Sequence, residues 1–561
     1  MQKFHDAHEP PQAARKKHET RIHGKVMQDE YFWMRERGSK EILDYLNAEN
    51  DYLKKKMAHT DTLQENLFNE ITARLDPNEQ SIPFNENGYS YYDRYEEGED
   101  YPLYCRKKIG QNSKEEILLN GPEMGTGQDY FDIGGYTVSP DNRLIVYGVD
   151  SVSRRNYTLF VKDIQSGKVY NDRIENTTGF AVFANDNKTI FYTQRDEQTL
   201  RECFVYKHVL GTKQSDDVIV FEEKDETYTC EVYKSKSQRF MMIVSYQTMS
   251  TEYHFLDANK PNGEWRVVQP RQRGLEYSAE DYLDDFYIVT NDSAKNFRLM
   301  RAPIERPSKE NWIEIIPHRE DVLLEGIEIF KMLMVVNERK NGLSQLRVIN
   351  WLDDTEHYVE FAEPTYYAYC HDNMDFNTTK LRFTYSSLTT PFTTFEYDML
   401  TKEKVVLKKD EVLGGEFSPE NYTSERIYAT ADDGTKIQVF RNVDASVPGG
   451  NTNCHGTTFL DGEYWLNNDQ ADILIEHDGY EVLTNPVDMK PGDIITYERD
   501  ADDDGTDHSV TVITPSANPG DATVEGLGGV HTKTSQQKAS DAWKGGKITL
   551  IRKNNPDTVV E

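Results

Sequence analysis

The stretch that decides the fold is Ser139-Pro-Asp-Asn-Arg-Leu-Ile-Val-Tyr-Gly-Val149. Its first four residues have the chemistry of a tight turn, because Pro presets the backbone and Asp and Asn accept local hydrogen bonds. The apolar run that follows is typical of a β-strand. The same order recurs at residues 185–193, where Asn-Asp-Asn-Lys precedes Thr-Ile-Phe-Tyr-Thr. Both stretches predict a turn between the first and second strands of a small antiparallel sheet.

Strand openings of this kind recur along the chain at intervals of about 44 to 49 residues. Such an interval corresponds to one four-stranded blade of a β-propeller. Seven units fit, so we predict a mainly β fold built on a seven-bladed β-propeller whose aromatic residues form the core. The openings are Tyr89, Tyr136, Phe180, Tyr228, Tyr277, Leu323 and Tyr369.

Other patterns flank the repeats. Apolar residues recur at helical spacing over Ser39 to Met57 and again over Thr60 to Arg74, and Ser39 is positioned to cap the first helix. A boundary follows Pro77, where short β runs begin. The predicted divisions are a helical segment (1–77), the propeller (78–420), a return segment and linker (421–450), a small α+β papain-like domain (451–553) and a tail (554–561).

The composition limits the classes of function. A net charge of −33 disfavours nucleic acid and anionic membrane as partners, although a solvated acidic surface has the same composition. The five cysteines are scattered without disulfide or zinc spacing, which favours a reducing compartment. No signal-peptide core and no apolar run near the roughly 18 residues of a membrane span occurs, so we expect a cytoplasmic protein.

Five ordered motifs resemble the prolyl oligopeptidase family, most nearly oligopeptidase B, over about residues 5–441. The resemblance implies a helical N-terminal segment, a seven-bladed propeller that gates an active site, and a C-terminal α/β-hydrolase domain that cleaves short peptides. The motifs are Asp29-Glu-Tyr-Phe-Trp-Met-Arg-Glu-Arg37, Tyr45-Leu-Asn-Ala-Glu-Asn50, Tyr206-Lys-His-Val-Leu-Gly-Thr212, Asn291-Asp-Ser-Ala-Lys-Asn-Phe-Arg-Leu299 and Tyr422-Thr-Ser-Glu-Arg-Ile-Tyr-Ala-Thr-Ala-Asp-Asp-Gly-Thr-Lys-Ile437.

The resemblance stops near Asn442. Only 120 residues follow Arg441, whereas an α/β-hydrolase domain of ordinary size needs roughly 200. No G-x-S-x-G nucleophile elbow occurs there, and that elbow is what holds a hydrolase serine on its strained turn. We therefore expect no serine, aspartate and histidine site in these residues.

The last part of the chain has a different pattern. Cys454 is followed by a Pro-Gly-Asp turn leading into a strand at Ile494, then by a strand beginning at His508, then by Glu525. This order is similar to CHAP-type members of the papain-like amidase and peptidase superfamily. In such a site His508 takes the proton of Cys454, and a third polar group orients the ring. Glu525 is the candidate for that third role, with Asp521 and Asn518 as alternatives.

These candidates also have ordinary structural interpretations. A free Cys such as Cys454 often behaves as a small hydrophobic residue, and Glu525 fits a solvated strand position. Asp500, Asp502 and Asp504 match half of a calcium loop, but position twelve is Thr511 instead of the bidentate Glu. A solvated hairpin tip is therefore favoured over a calcium site, and we expect no cofactor.

Three hypotheses for function follow. The first is a peptidase or amidase with Cys454, His508 and Glu525 as its catalytic residues, acting on a peptide or a peptidoglycan-like amide. The second is a relative of a serine-type oligopeptidase reduced to a non-catalytic propeller module. The third is an artificial joining of two genes near Asn442.

Overall fold

Short apolar and aromatic runs become antiparallel strands through most of the chain. A computed structural model describes residues 10–110, 113–413, 417–431 and 433–444, and then the strand segments 480–482, 494–497, 508–514, 523–526, 535–538 and 548–553. These residues fall into two compact units, one of residues 1–77 with 412–415 and one of residues 78–411 with 416–561.

The first unit contains a hairpin and two helices. Strands β1 (Glu19–Ile22) and β2 (Lys25–Gln28) precede α1 (Lys40–Met57) and α2 (Asp61–Thr72). The predicted cap is confirmed, because Ser39 Oγ accepts the backbone N–H of Ile42 at 3.4 Å. Ile42 of α1 is buried, but most apolar residues of the two helices are exposed; Leu53 of α1 and Phe68 of α2, for example, are 58% and 66% exposed.

The second unit begins with three sheets joined by short turns. The first comprises β3 (Phe84–Glu86), β4 (Tyr89–Arg94), β5 (Leu103–Lys108) and β6 (Glu116–Asn120), followed by the one-turn helix α3 (Gly121–Gly125). The second comprises β7 (Asp132–Val138), β8 (Leu144–Asp150), β9 (Tyr157–Asp163), β10 (Val169–Phe183), β11 (Thr189–Arg195), β12 (Glu202–Val209) and β13 (Val218–Glu222). The third comprises β14 (Thr229–Lys234), β15 (Phe240–Gln247), β16 (Ser250–Asp257) and β17 (Arg266–Val267).

Three further four-stranded sheets and a hairpin follow. They are β18 (Tyr277–Tyr282), β19 (Asp285–Thr290), β20 (Arg298–Pro303) and β21 (Ile313–Ile316); β22 (Val322–Ile329), β23 (Leu333–Lys340), β24 (Leu343–Asn350) and β25 (Glu356–Tyr358); β26 (Tyr367–Cys370), β27 (Lys380–Ser386), β28 (Thr393–Asp398) and β29 (Lys404–Lys409); and the pair β30 (Tyr422–Thr430) and β31 (Lys436–Asp444). Single 3-10 turns lie at Phe32–Arg35, Ala58–Thr60, Gln214–Asp216, Lys309–Asn311 and Pro419–Asn421.

The last described strands form one sheet of six in the order β32-β37-β33-β34-β35-β36. Strands occur where the Pro-Gly-Asp turn and His508 predicted them. The strands are β32 (Tyr480–Val482), β33 (Ile494–Tyr497), β34 (His508–Thr514), β35 (Thr523–Gly526), β36 (Ser535–Lys538) and β37 (Ile548–Lys553).

The turns predicted at residues 139–142 and 185–188 are confirmed. Ser139 Oγ accepts the backbone N–H of Leu144 at 2.9 Å and donates to Asp141 Oδ1 at 2.6 Å. Asn142 and Asn187 both take positive φ, at 62° and 57°, a conformation that asparagine tolerates better than most residues. Each turn lies between consecutive antiparallel strands, as predicted.

The prediction of seven blades is wrong. The described residues form five four-stranded sheets of the propeller type and one seven-stranded sheet. The cause is β10, a 15-residue strand. Its first half pairs with β9, and its pairing with β11 starts at Thr177. The repeat interval was measured between strand openings, so it predicted two separate blades for β7 to β13. The continuous strand β10 joins these strands into one sheet.

Two glycines allow β10 to change its neighbouring strand from β9 to β11. Gly179 has φ of +91°, and a Cβ placed there would lie 2.7 Å from Cγ of the Tyr157 ring. A Cβ on Gly148 of β8 would overlap the backbone of Gly179. The two strands therefore approach closely at a point where neither can carry a side chain.

The hydrophobic core lies between successive sheets. Phe240 and Phe255 of one sheet pack against Phe286 of the next, with ring centroids of Phe255 and Phe286 5.0 Å apart and nearly perpendicular. Edge-to-face pairs of this kind add about 0.5–1.5 kcal/mol beyond area burial. No helix among the described residues is long and apolar enough to cross a membrane.

We predict that Gly148→Ala destabilises the protein by about 1–3 kcal/mol, the usual cost of overpacking a fixed contact. Gly326→Ala is the matched control, since a Cβ on this strand glycine meets no atom within 4 Å. The two variants are compared with the parent chain by urea denaturation. A Gly148→Ala midpoint equal to that of Gly326→Ala would contradict the close approach of β8 and β10.

Candidate functional site

Charged side chains on or next to the first strands of four sheets form a group in two parts, Glu86 with Lys234 and Lys236 with Glu280 and Glu328. We call this group the axial cluster and define it as Glu86, Lys234, Lys236, Glu280 and Glu328. Glu86 lies on β3, Lys234 ends β14, Lys236 follows it, Glu280 lies on β18 and Glu328 on β22. A propeller places the first strand of each blade around a central channel, which explains why residues so distant in sequence converge.

One ion pair reaches past an intervening sheet. Lys236 Nζ lies 2.8 Å from Glu328 Oε2, and the two side chains are 17% and 31% exposed. The sheet β18–β21 lies between their sheets in chain order. Lys236 Nζ also lies 3.7 Å from the ring centroid of Phe330. A partly desolvated ammonium with one carboxylate and one ring face gains more from each contact than it would in water.

Glu280 is the most perturbed carboxyl of the axial cluster. Burial raises its pKa to about 8, the carboxylates of Glu328 and Asp281 add to the rise, and Lys236 opposes it. Glu280 therefore carries a proton near neutral pH. It can donate a hydrogen bond where the neighbouring Glu328 can only accept one.

Lys234 and Glu86 form the other part of the axial cluster. Burial lowers the pKa of Lys234 to about 8, while Glu86 opposes the shift. Burial also raises the pKa of Glu86, and Lys234 opposes that shift. Lys234 Nζ donates to Asn185 Oδ1 at 2.6 Å. This part of the axial cluster thus holds one buried ammonium beside one buried carboxyl group.

The cysteines of the described residues are poor nucleophiles. Cys370 Sγ donates to Asn337 Oδ1 at 3.1 Å, and burial raises the pKa of its thiol well above the usual range. Burial likewise raises the pKa of Cys105, to about 11, and of Cys203 and Cys230. A thiol with a raised pKa holds little of the reactive thiolate near neutral pH.

Of the three predicted catalytic residues, the structure describes His508 and Glu525. Cys454 lies outside the described residues, as do Asp521, Asn518 and the calcium candidates Asp500, Asp502 and Asp504. His508 begins β34 opposite Tyr497 of β33, and Glu525 of β35 pairs with Thr511. The catalytic assignment of Cys454, His508 and Glu525 therefore stays a prediction. Among the described residues, no group of three or more His, Cys, Asp or Glu side chains could hold a metal ion.

Sequence reasoning missed the axial cluster. One signal was available, because Glu280 lies three residues after Tyr277, the aromatic opening of its repeat. A carboxylate in an otherwise apolar first strand marks a side chain that faces the channel instead of the core. The pairing of Lys236 with Glu328 had no local signal, since 92 residues separate them.

Most of the described chain is similar to one known protein family. The family described as "Prolyl oligopeptidase, N-terminal beta-propeller domain" matches residues 11–410. The chain belongs to the prolyl oligopeptidase family. The resemblance inferred from the five motifs is thereby confirmed, whereas the resemblance of the last part of the chain to CHAP-type domains stays a prediction.

Similar proteins agree with this membership. "Dipeptidyl aminopeptidase BI" of Pseudoxanthomonas mexicana is 38% identical over 450 residues, which cover 77% of this chain and 62% of that protein. "Protease 2" of Moraxella lacunata is 29% identical over 434 residues, covering 76% and 62%. The chain thus spans about 62% of the length of these two relatives.

Solved structures agree as well. Oligopeptidase B from Leishmania major has a TM-score of 0.72 and 28% identity, covering 79% of this chain and 66% of that one. Oligopeptidase B from Trypanosoma brucei has a TM-score of 0.70 and 26% identity with the same coverage. The prolyl oligopeptidase family therefore accounts for the helical segment and propeller.

We predict that Glu280 is protonated at neutral pH and ionises as the pH rises past about 8. Infrared difference spectra between the parent chain and Glu280→Gln should show a carboxylic-acid C=O band at about pH 7 that is gone by about pH 10. Because the fold favours the protonated form, stability should fall as pH rises from the unfolded value to the folded one, and Glu280→Gln should remove that fall.

The matched control for this prediction is Glu305→Gln, because the Glu305 side chain is 89% exposed. Glu305→Gln should leave the carboxylic-acid band assigned to Glu280 unchanged. A Glu280 that is already ionised at about pH 7 would contradict the electrostatic description of the axial cluster.

Proposed function

We propose that this chain serves in peptide hydrolysis, as the propeller part of a peptidase of the prolyl oligopeptidase family, and that peptides bind at its axial cluster. The observation that carries the proposal is the axial cluster itself. The names of the relatives, an aminopeptidase, a protease and two oligopeptidases, support a peptide ligand.

The chemistry of the axial cluster suits a peptide. A peptide presents N–H donors and C=O acceptors in alternation, and both must be satisfied when the chain leaves water. Lys236 and protonated Glu280 offer donors, whereas Glu328 offers an acceptor. Carboxyl groups at the axis disfavour a nucleic acid, whose phosphates need cationic partners.

Lys236 should matter most for such binding, because it is both a donor and the partner of Glu328. We predict that Lys236→Met weakens binding of a short, uncharged, fluorescently labelled peptide by about tenfold or more, the loss expected for one charge-assisted hydrogen bond. Fluorescence anisotropy with the whole chain measures the dissociation constant.

Lys260→Met is the matched control, since this lysine is 76% exposed on a hairpin outside the axial cluster. It should leave the dissociation constant unchanged. Equal binding by the parent chain and Lys236→Met would remove the axial cluster as the peptide site.

A second candidate function concerns the last part of the chain. We propose Cys454 as a nucleophile, His508 as its base and Glu525 as the group that orients the ring. The strands that carry His508 and Glu525 are neighbours in one sheet, and β33 adjoins β34 on the other side. The adjacency of the two strands supports the proposal, because a papain-like site draws its base and orienting residue from neighbouring strands. The register weighs against Glu525 as the orienting residue, since Glu525 pairs with Thr511, which lies three positions from His508 and therefore on the opposite face of β34.

In this mechanism the Cys454 thiolate attacks the amide carbon, His508 protonates the leaving amine, and water then releases the acyl group from the thioester. Cys454→Ala and His508→Ala should each abolish amide hydrolysis, and iodoacetamide should label Cys454. Cys370→Ala, at a buried thiol, is the control that should retain activity. Hydrolysis that survives both changes, or labelling of a serine by a fluorophosphonate, would instead support a serine-type enzyme.

A further inference from the structure

A groove lies on the seven-stranded sheet, away from the first strands. It has a volume of about 520 Å³ and lies between the start of β10 and the turn that follows β12. Its lining residues share no role in the axial cluster and belong to two short segments. They are Lys168, Tyr170, Asn171, Asp172, Arg173, Gly211, Thr212, Lys213 and Gln214.

One side of the groove is an unpaired strand edge. β10 pairs with β9 at Val169 and again at Arg173, with a register shift between these two residues, and its pairing with β11 starts only at Thr177. In the described part of the chain, no strand pairs with the other edge of this segment. Unpaired N–H and C=O groups on such an edge are a template for another strand.

The next residue along this edge already has a strand-like partner. The side-chain amide of Gln214 accepts the backbone N–H of Glu175 at 3.0 Å and donates to its C=O at 2.9 Å. Gln214 therefore makes the two hydrogen bonds that a residue of a neighbouring strand would make. The groove continues the same edge toward Val169 without such a partner.

A buried hydrogen-bond network forms the floor of the groove. Asp172 Oδ1 accepts from the Gly211 N–H and lies 3.0 Å from His208 Nε2. His208 Nδ1 lies 2.6 Å from Asp217 Oδ1, and Tyr192 Oη donates to the other Asp217 oxygen at 2.9 Å. The side chains of His208, Asp172 and Asp217 are 1%, 3% and 1% exposed. This network fixes the two walls relative to one another.

The network also compensates the carboxylate at the floor. Burial opposes protonation of His208, but hydrogen bonds to Asp217 and Asp172 prevail and raise its pKa. The His208 ring and the Gly211 N–H therefore both face Asp172 Oδ1, so that this carboxyl group has its hydrogen-bond partners within the protein.

The rim of the groove is cationic in a strongly acidic chain. Lys168, Arg173 and Lys213 line it, whereas the whole protein has a net charge of −33. Arg173 pairs with Glu175 at 3.0 Å, but both side chains are more than 60% exposed. An ion pair this exposed contributes little and exchanges readily for another carboxylate.

We propose that this groove binds an acidic peptide segment in extended conformation, as a strand added to the free edge of β10. Residues 169–173 would span roughly 16 Å as a regular strand, and the register shift between Val169 and Arg173 shortens the edge to the length of a short segment. Main-chain hydrogen bonds supply affinity in this mode, and the cationic rim selects acidic side chains. The site is distinct from the axial cluster, and its test measures binding instead of hydrolysis.

The probe is a fluorescein-labelled, acetylated and amidated hexapeptide of alternating Glu and Val, titrated with the whole chain. We expect it to bind at least about tenfold more tightly than the Lys and Val version, as one or two charge-assisted contacts would give. Lys168→Glu with Lys213→Glu should reverse that preference. Lys260→Glu is the control, since it adds the same charge at a 76% exposed site outside the groove.

Backbone methylation separates strand addition from simple charge attraction. An analogue of the acidic peptide with alternate N-methyl groups keeps its charge but cannot pair along one edge, so its binding should fall by about tenfold or more. Equal binding of the methylated and unmethylated peptides would overturn the proposal. So would equal binding of the acidic and basic peptides, or displacement of the acidic peptide by inorganic phosphate at matched ionic strength.

Discussion

The fold depends on the hydrogen-bonding requirement of one long strand. The buried backbone N–H and C=O groups of β10 need hydrogen-bond partners, and no single neighbouring strand spans all of its residues. The strand meets the requirement by changing partner from β9 to β11 near Gly179. Gly148 and Gly179 make that change sterically feasible. One seven-stranded sheet results, and the first half of β10 keeps an unpaired edge.

The arrangement of these antiparallel sheets in a propeller places the residues of the axial cluster close to one another. Outer strands and intersheet aromatic contacts provide the rigidity, while the first strands bring distant charged residues toward one axis. Lys236, Glu280 and Glu328 come from three different sheets, and their side chains share too few counterions for all to be fully charged. Such incomplete compensation is costly for stability, and functional sites are where proteins commonly tolerate it. A ligand that supplies both donors and acceptors would offset part of that cost.

Local chemistry in the sequence predicted local structure well. The turn at Ser139 to Asn142, the cap at Ser39 and the strand beginning at His508 all depend on residues within a few positions of each other. The family resemblance also followed from ordered local motifs. The blade count failed because pairing across β10 depends on the contact between Gly148 and Gly179, which the interval between repeats does not encode. The axial cluster was missed for the same reason, since Lys236 and Glu328 meet only in the folded propeller.

Photo-crosslinking can show whether peptides bind at the propeller axis. A short peptide carrying a benzophenone side chain would be irradiated with the whole chain and the adducts located by mass spectrometry. The account predicts adducts in β18 and β22, near Glu280 and Glu328, that an excess of unlabelled peptide suppresses. Adducts confined to outer strands such as β21 and β25, or adducts that unlabelled peptide does not suppress, would contradict it.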